Sequence, residues 1–221
     1  MSPRPEDIRE FFEKRVDEYD EHMAETVDDY EKFYAALADP IKKTGEKITI
    51  LDLGAGTGIE LEYIFIKAPH ARITAVDLSM SMLSRLLEKY KRYERRIKIV
   101  EASYLTMELG PRAYDYAVSV MSLHHLLPEE KTAIYAKIRE ALKPGGSYIE
   151  GDYIVSEEEE GRLIEEYRTL KEDFTLPEDG LYHIDIPSSE KTQMTALREA
   201  GFKEIQVLFR TDRSDIIAAR K

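Results

Sequence analysis

Three glycines spaced two apart, Gly54, Gly56 and Gly58 in LDLGAGTG, follow a β-rich apolar run and precede a helical one. A strand that turns sharply into a helix needs positive φ. Glycine supplies it and lets a ligand approach the backbone closely. Asp77 ends the next apolar run, ARITAVDL, about 20 residues on, where a carboxylate can accept hydrogen bonds from both hydroxyls of a ribose. Turn and acid together point to a ribose-bearing cofactor. A dinucleotide site would need a glycine at position 59, where Ile59 stands, and Asp52 and Glu60 flank the turn. Those acids repel a pyrophosphate and attract an ammonium or sulfonium.

A second set of chemically capable residues follows the fourth apolar run. His124 and His125 offer imidazoles that titrate near neutrality, suited to taking a proton from an acceptor. His124 is the stronger candidate, because Leu123 and Leu126 mark the alternate positions as inward-packing. Asp152, Tyr153, Tyr182, His183 and Asp185 are candidates for lining an acceptor pocket. Several carry donor atoms a cation accepts, but no metal-ligand spacing connects them, and no metal is expected. Among the aromatic residues Phe11, Phe12, Tyr19, Tyr30 and Tyr34, helical spacing makes packing the expected role, with Tyr19 the exception.

These residues need a frame. Residues 5–37 read as helix, with Phe12, Val16, Tyr19 and Met23 forming one stripe, and Asp39-Pro40 breaks the pattern. From Lys47 onward, strand-like and helix-like runs alternate: KITILDL, IELEYIFIKA, ARITAVDL, a helix capped by Ser79, IKIVEAS, YDYAVSV, a helix up to Lys143-Pro144-Gly145-Gly146, and SYIEGDYIV. SEEEEGRLIEEYRTLKEDF is an extra helix, opened by the capping box Ser156/Glu159. A turn-rich loop, LPEDGLYHIDIP, follows it. PSSEKTQMTALREAG is a helix, and the last two strands are joined too closely for a crossover helix, so they form an antiparallel hairpin.

LDLGAGTG, AVDLS, YDYAVSVMSLHHL and LKPGGSYI resemble, in order and spacing, the successive motifs of class I S-adenosylmethionine-dependent methyltransferases, over residues 48–153. The resemblance implies an α/β, Rossmann-like, doubly wound sheet of seven mostly parallel strands with an antiparallel last strand. Residues 1–45 would be an N-terminal helical lid, and 46–221 the S-adenosylmethionine-binding domain, with an insertion at about 156–187. It further implies that Gly54, Ala55 and Gly56 cradle the methionine moiety, that Asp77 holds the ribose, and that Leu78 and Met82 pack on the adenine. Arg15 and Tyr19 would close over the cofactor, and Ser119 and Val120 would border the reactive methyl. At the end of the third strand the chain departs from the family pattern. Ser103, followed by Tyr104, stands where an Asp commonly meets the adenine amino group.

The reaction implied is methyl transfer to a small molecule. The layout also resembles carboxy-S-adenosylmethionine synthase, although no basic residue clearly matches the one needed to hold the added carboxylate. RNA methylation and cofactor binding without turnover complete the alternatives. The net charge of −12 lacks the electrostatic attraction that dominates nucleic-acid binding. The strip from Lys89 to Lys98 is a local exception. Without cysteine there is no disulfide, thiolate ligand or thiol nucleophile. The charged start MSPRPEDIRE and the lack of a long apolar run predict no secretory signal, no membrane span and a cytoplasmic protein. Oligomeric state stays open, with a homodimer among the options.

Overall fold

The computed structural model describes residues 4–177 and 180–221. Three helices come first: α1 (Ile8–Arg15), α2 (Tyr19–Thr26) and α3 (Tyr30–Ala38). The alternating part follows as β1 (Thr49–Leu53), α4 (Leu61–Lys67), β2 (Arg72–Asp77), α5 (Met80–Lys89), β3 (Ile97–Glu101), β4 (Tyr114–Val120), α6 (Pro128–Ala141) and β5 (Leu142–Tyr153). Then come α7 (Glu157–Asp173), α8 (Glu190–Glu199), β6 (Lys203–Arg210) and β7 (Ser214–Arg220). The strands form one sheet in the order β3-β2-β1-β4-β5-β7-β6. Neighbours from β3 to β5 pair in parallel, and β7 enters antiparallel between β5 and β6. This is the doubly wound sheet with an antiparallel last strand that the sequence predicts.

The burial pattern follows from the topology. Strands covered on both faces are apolar throughout, as in β1, where Ile50, Leu51 and Leu53 are fully buried. The edge strand β6 alternates half-buried and exposed residues. Two differences from the expected elements have local causes. The amino-terminal helix is three helices, broken at Val16–Glu18 and again before Asp29, whose φ of 52° is left-handed. Strand β5 begins at Leu142, because the Lys143–Gly146 stretch stays in the sheet beyond an irregularity against Tyr114 and Tyr116. The turn expected at Glu178-Asp179 and the first three residues lie outside the described residues.

The breaks let the short helices fold over the carboxyl edge of the sheet. α3 packs Phe33 and Leu37 onto Gly151 of β5, where an added Cβ would lie 2.8 Å from the Phe33 ring. Asp20 of α2 accepts hydrogen bonds from Thr57, in the glycine turn, and from Lys89 at 2.6 Å. The strand-like stretch around Tyr182 pairs with Asp7, and Ile8 donates to the Leu181 carbonyl at 3.0 Å. The insertion is thereby tied to the first helix. Among the described residues no helix is long and apolar enough to cross a membrane.

Beneath β5 and β7 lies a buried polar cluster. Glu150 and Asp215 are fully buried, and burial followed by the charge of Asp152 raises the Glu150 carboxyl to about 7. The folded protein therefore keeps a proton that the unfolded chain releases near pH 4.5. Stability from this group is full below that pH and falls as pH rises to about 7. Glu150→Gln should thus be more stable than the parent by about 2–3 kcal/mol at pH 8. The gap should close near pH 4.5, as read from urea denaturation at the two pH values.

Candidate active site

The glycine turn joins β1 to α4 with positive φ at all three glycines: 69° at Gly54, 50° at Gly56 and 72° at Gly58. Gly54 and Ala55 donate their amides to the Val76 carbonyl at 2.8 and 3.0 Å, which stitches the turn to the end of β2. Two of the glycines are also required sterically. A Cβ on Gly54 would fall 2.0 Å from the Ser122 hydroxyl, and one on Gly58 would fall 2.9 Å from Leu86. Asp77 ends β2 with one carboxylate oxygen on the Gly56 amide and the other on the Ser79 amide, both at 2.8 Å. Burial raises its pKa against those two amides. Each oxygen keeps a lone pair for a further donor.

Above this turn is a small, partly open groove of about 50 Å³, walled by Gly54, Gly56, Asp77, Leu78, Met82 and Tyr104, with Tyr19 and Phe12 on its other side. That is far below the roughly 300 Å³ at which small-molecule pockets begin. Directly beneath the turn, Asp52 and Glu60 are both buried, and neither Asp52 oxygen has a partner. Burial, and then their mutual repulsion, push Asp52 well above the usual carboxylate range, and burial raises Glu60 as well. Such a pair shares a proton until a cation arrives. Orphaned acids below the turn and a free acceptor at the end of β2 fit the ammonium and the ribose of S-adenosylmethionine.

A second, larger cavity of about 320 Å³ adjoins the groove and shares Phe12, Tyr19, Met121 and His125 with it. Its other walls include Arg15, His22, Tyr153, His124, His183 and Asp185. The two histidines sit on a short 3-10 turn, Leu123–His125, directly after Met121, whose φ of 46° bends the chain out of β4. Asp152 on the neighbouring strand fixes this turn. One of its oxygens accepts from the Leu123 amide at 3.0 Å, and the other meets His124 Nδ1 at 2.6 Å. Burial disfavours the His124 imidazolium, but Asp152 and Asp185 outweigh it and raise the pKa. His125, with no such partner on Nε2, is pushed down to about 4, by burial first and then by the charge of His124.

Several sequence expectations coincide here and several do not. Gly54, Gly56, Asp77, Leu78, Met82, Tyr19 and Tyr104 meet in the groove. Ala55 lies in the core beside them. Arg15 lines the larger cavity, held by Glu6 and the Phe11 carbonyl. Ser103 spends its hydroxyl on the Leu105 amide, within its own turn. Ser119 points to the opposite face of the sheet, bonded to Tyr148 at 2.6 Å. Val120 is buried in the core, and Met121 and Ser122 supply the wall instead. The left-handed Met121 bends the chain at this point, a backbone feature that no residue pattern marks in the sequence. Phe12, expected to pack, roofs both cavities. Tyr182 is absent from the cavity walls, whereas Tyr153, His183 and Asp185 line the larger one.

An α/β sheet with a glycine turn and an acid at the next strand end has the features of a nucleoside-cofactor site, here beside a second cavity. Comparison with known proteins agrees. A methyltransferase-domain family matches residues 50–146. A carboxy-S-adenosyl-L-methionine synthase of Wolinella succinogenes is 28% identical over 79% of this chain and 75% of its own length. The fold superposes on human N-acetylserotonin methyltransferase in complex with S-adenosylmethionine. That match has a TM-score of 0.69 and 18% identity, and covers all of this chain and 60% of that one. The S-adenosylmethionine complex of DhpI also has a TM-score of 0.69 and 18% identity, over 96% and 95% of the two chains. Residues 50–146 thus match a methyltransferase domain, and the fold is that of S-adenosylmethionine-dependent methyltransferases, a match that supports S-adenosylmethionine as the cofactor.

The buried acid pair yields an opposed pair of effects. Asp52→Asn removes a carboxyl whose charge burial disfavours, so thermal stability at pH 8 should rise. It also removes a counter-charge for the cofactor ammonium, so S-adenosylmethionine affinity by calorimetry should fall roughly tenfold or more. Loss of stability together with unchanged affinity would show that Asp52 has only a packing role.

Proposed function

We propose that the protein transfers the cofactor's methyl group to a small molecule held in the larger cavity, working in the cytoplasm. The observation that carries this reading is the wall common to the two cavities. A methyl projecting from the groove past Tyr19 and Met121 enters a chamber whose polar face is His124. In this reading α1–α3 are a lid, Asp77 holds the ribose, Leu78 and Met82 meet the adenine, and Asp52 and Glu60 face the ammonium from beneath the turn. The cofactor brings its own leaving group, so the chain's residues must orient the acceptor and exclude water. Tyr19, Phe12 and Phe11 cover the chamber and do the latter.

His124 is the residue assigned to meet the acceptor's nucleophilic atom. With Nδ1 bonded to Asp152, its remaining lone pair is on Nε2. There it can relieve the acceptor of its proton as the bond to the methyl carbon forms. A macromolecular acceptor such as RNA fits less well. The chamber is roofed, and the basic strip near Lys89 is partly engaged, Lys89 with Asp20 and Arg92 and Arg96 over Tyr93.

One observation favours a second reading. Several bacterial relatives at 25–28% identity carry the name carboxy-S-adenosyl-L-methionine synthase, and Arg15 supplies a guanidinium to the chamber. Product analysis separates the two. Incubation of the protein with S-adenosylmethionine and a small-molecule panel should release S-adenosylhomocysteine, and His124→Gln should lower that rate roughly 100-fold or more while cofactor affinity is kept. A cofactor product bearing an extra carboxyl group would establish the second reading. Tight binding with no product from either route would leave a binding protein.

A further inference from the structure

The sequence separates His124 and His125 from Asp185 by some sixty residues, and nothing in that spacing predicts a metal. Folding changes this. The chain from Tyr182 onward is pinned beside the histidines, because Ile186 donates to the His124 carbonyl at 2.7 Å and His183 donates to the Glu6 carbonyl at 3.0 Å. One Asp185 oxygen then lies 3.2 Å from His125 Nδ1 and 3.7 Å from His124 Nε2. One donor atom from each of the three residues falls within 4.8 Å of the other two. Donors bound to one ion at about 2.1 Å lie roughly 3 Å apart, so small side-chain rotations complete the convergence.

Three further features distinguish this cluster from an ordinary ion pair. Asp152 holds Nδ1 of His124 at 2.6 Å, the carboxylate–imidazole arrangement that orients a metal-binding histidine and makes it more basic. Two carboxylates, Asp152 and Asp185, lie against the two imidazoles, so the cluster offers anionic groups to offset a cation. Asp185 is half exposed and opens onto the 320 Å³ chamber, so an ion held there keeps coordination positions free on the acceptor side. Two imidazoles and one carboxylate are a borderline donor set. It suits late first-row divalent ions over magnesium or calcium.

We infer that His124, His125 and Asp185 form a binding site for a divalent transition-metal ion that presents an acceptor oxygen to the cofactor's methyl group. This rests on the reading of the chamber as the acceptor site and changes the part of His124 there: with Nε2 on the ion it holds the metal and does not itself take the acceptor's proton. The acceptor hydroxyl, bound through oxygen, loses its proton to solvent. Its oxygen then forms the bond to the methyl carbon, and the carbon–sulfur bond breaks with its electron pair left on sulfur. His183, stacked on Phe11, stays a wall of the chamber.

The test uses the full chain without a polyhistidine tag, stripped by chelator and titrated with Co²⁺ and Zn²⁺. Bound metal is counted after desalting, and the coordination is followed by Co²⁺ absorption. One ion per chain is expected, with affinity falling roughly tenfold or more in Asp185→Asn and in His125→Gln. S-adenosylmethionine affinity should be unchanged in Asp185→Asn, which shows that the variant is folded. His22→Gln, a histidine elsewhere in the chamber, should bind metal as the parent does. No ion taken up, or equal loss in His22→Gln, overturns the inference, and methyl transfer by the metal-free protein would then stand on its own. Metal uptake with no turnover of any acceptor would instead sink the transferase reading and leave the metal site.

Discussion

The carboxyl edge of the parallel sheet concentrates more negative charge than its own side chains neutralise. Asp52 and Glu60 are buried with unpartnered oxygens below the glycine turn, and Asp77, half-buried at the end of β2, has its charge disfavoured despite two backbone amides. Burying an ionised carboxylate without a partner is costly. A fold that buries the Asp52–Glu60 pair at this edge gives up stability there. A cationic ligand with hydroxyls to donate relieves that cost at each point, and the glycines leave the backbone bare where it must approach.

The same edge continues into the acceptor chamber, where Asp152 and Asp185 flank His124. Tyr19 links the two regions. It roofs both cavities, and burial followed by the charges of Asp77 and Glu60 keeps its phenol un-ionised. Asp20, its neighbour in the chain, ties α2 to the glycine turn and to Lys89. The amino-terminal helices are therefore coupled to the cofactor turn through one residue and to the chamber through the next. Motion that admits the cofactor must also open the acceptor space.

The cofactor half of the site was legible in the sequence because local geometry encodes it. A glycine turn and the acid closing the next strand are fixed by the strand–turn–helix unit itself, and Leu78 and Met82, on either side of Ser79, were implied by the family resemblance. The parallel sheet followed from the alternation, and the closing antiparallel hairpin from the short connector at Thr211-Asp212. Residues whose direction depends on irregular backbone were misjudged. Ser119 and Val120 were implied by the family resemblance, but the left-handed Met121 bends the chain out of β4, and Met121 and Ser122 line the groove instead. Ser103 caps its own turn because a serine near a backbone amide satisfies it at little cost. The meeting of His124, His125 and Asp185 arises from long-range pairing of the insertion with α1, which no local pattern reveals.

The central claim is that groove and chamber are one reaction space divided by the Tyr19–Met121 wall. It is tested most directly by a crystal structure with S-adenosylhomocysteine bound. The claim predicts that the ribose hydroxyls bond to Asp77, that the amino group lies over the Asp52–Glu60 pair, and that the sulfur faces the cavity containing His124. A sulfur turned toward the sheet, or a cofactor seated outside the glycine turn, would contradict it.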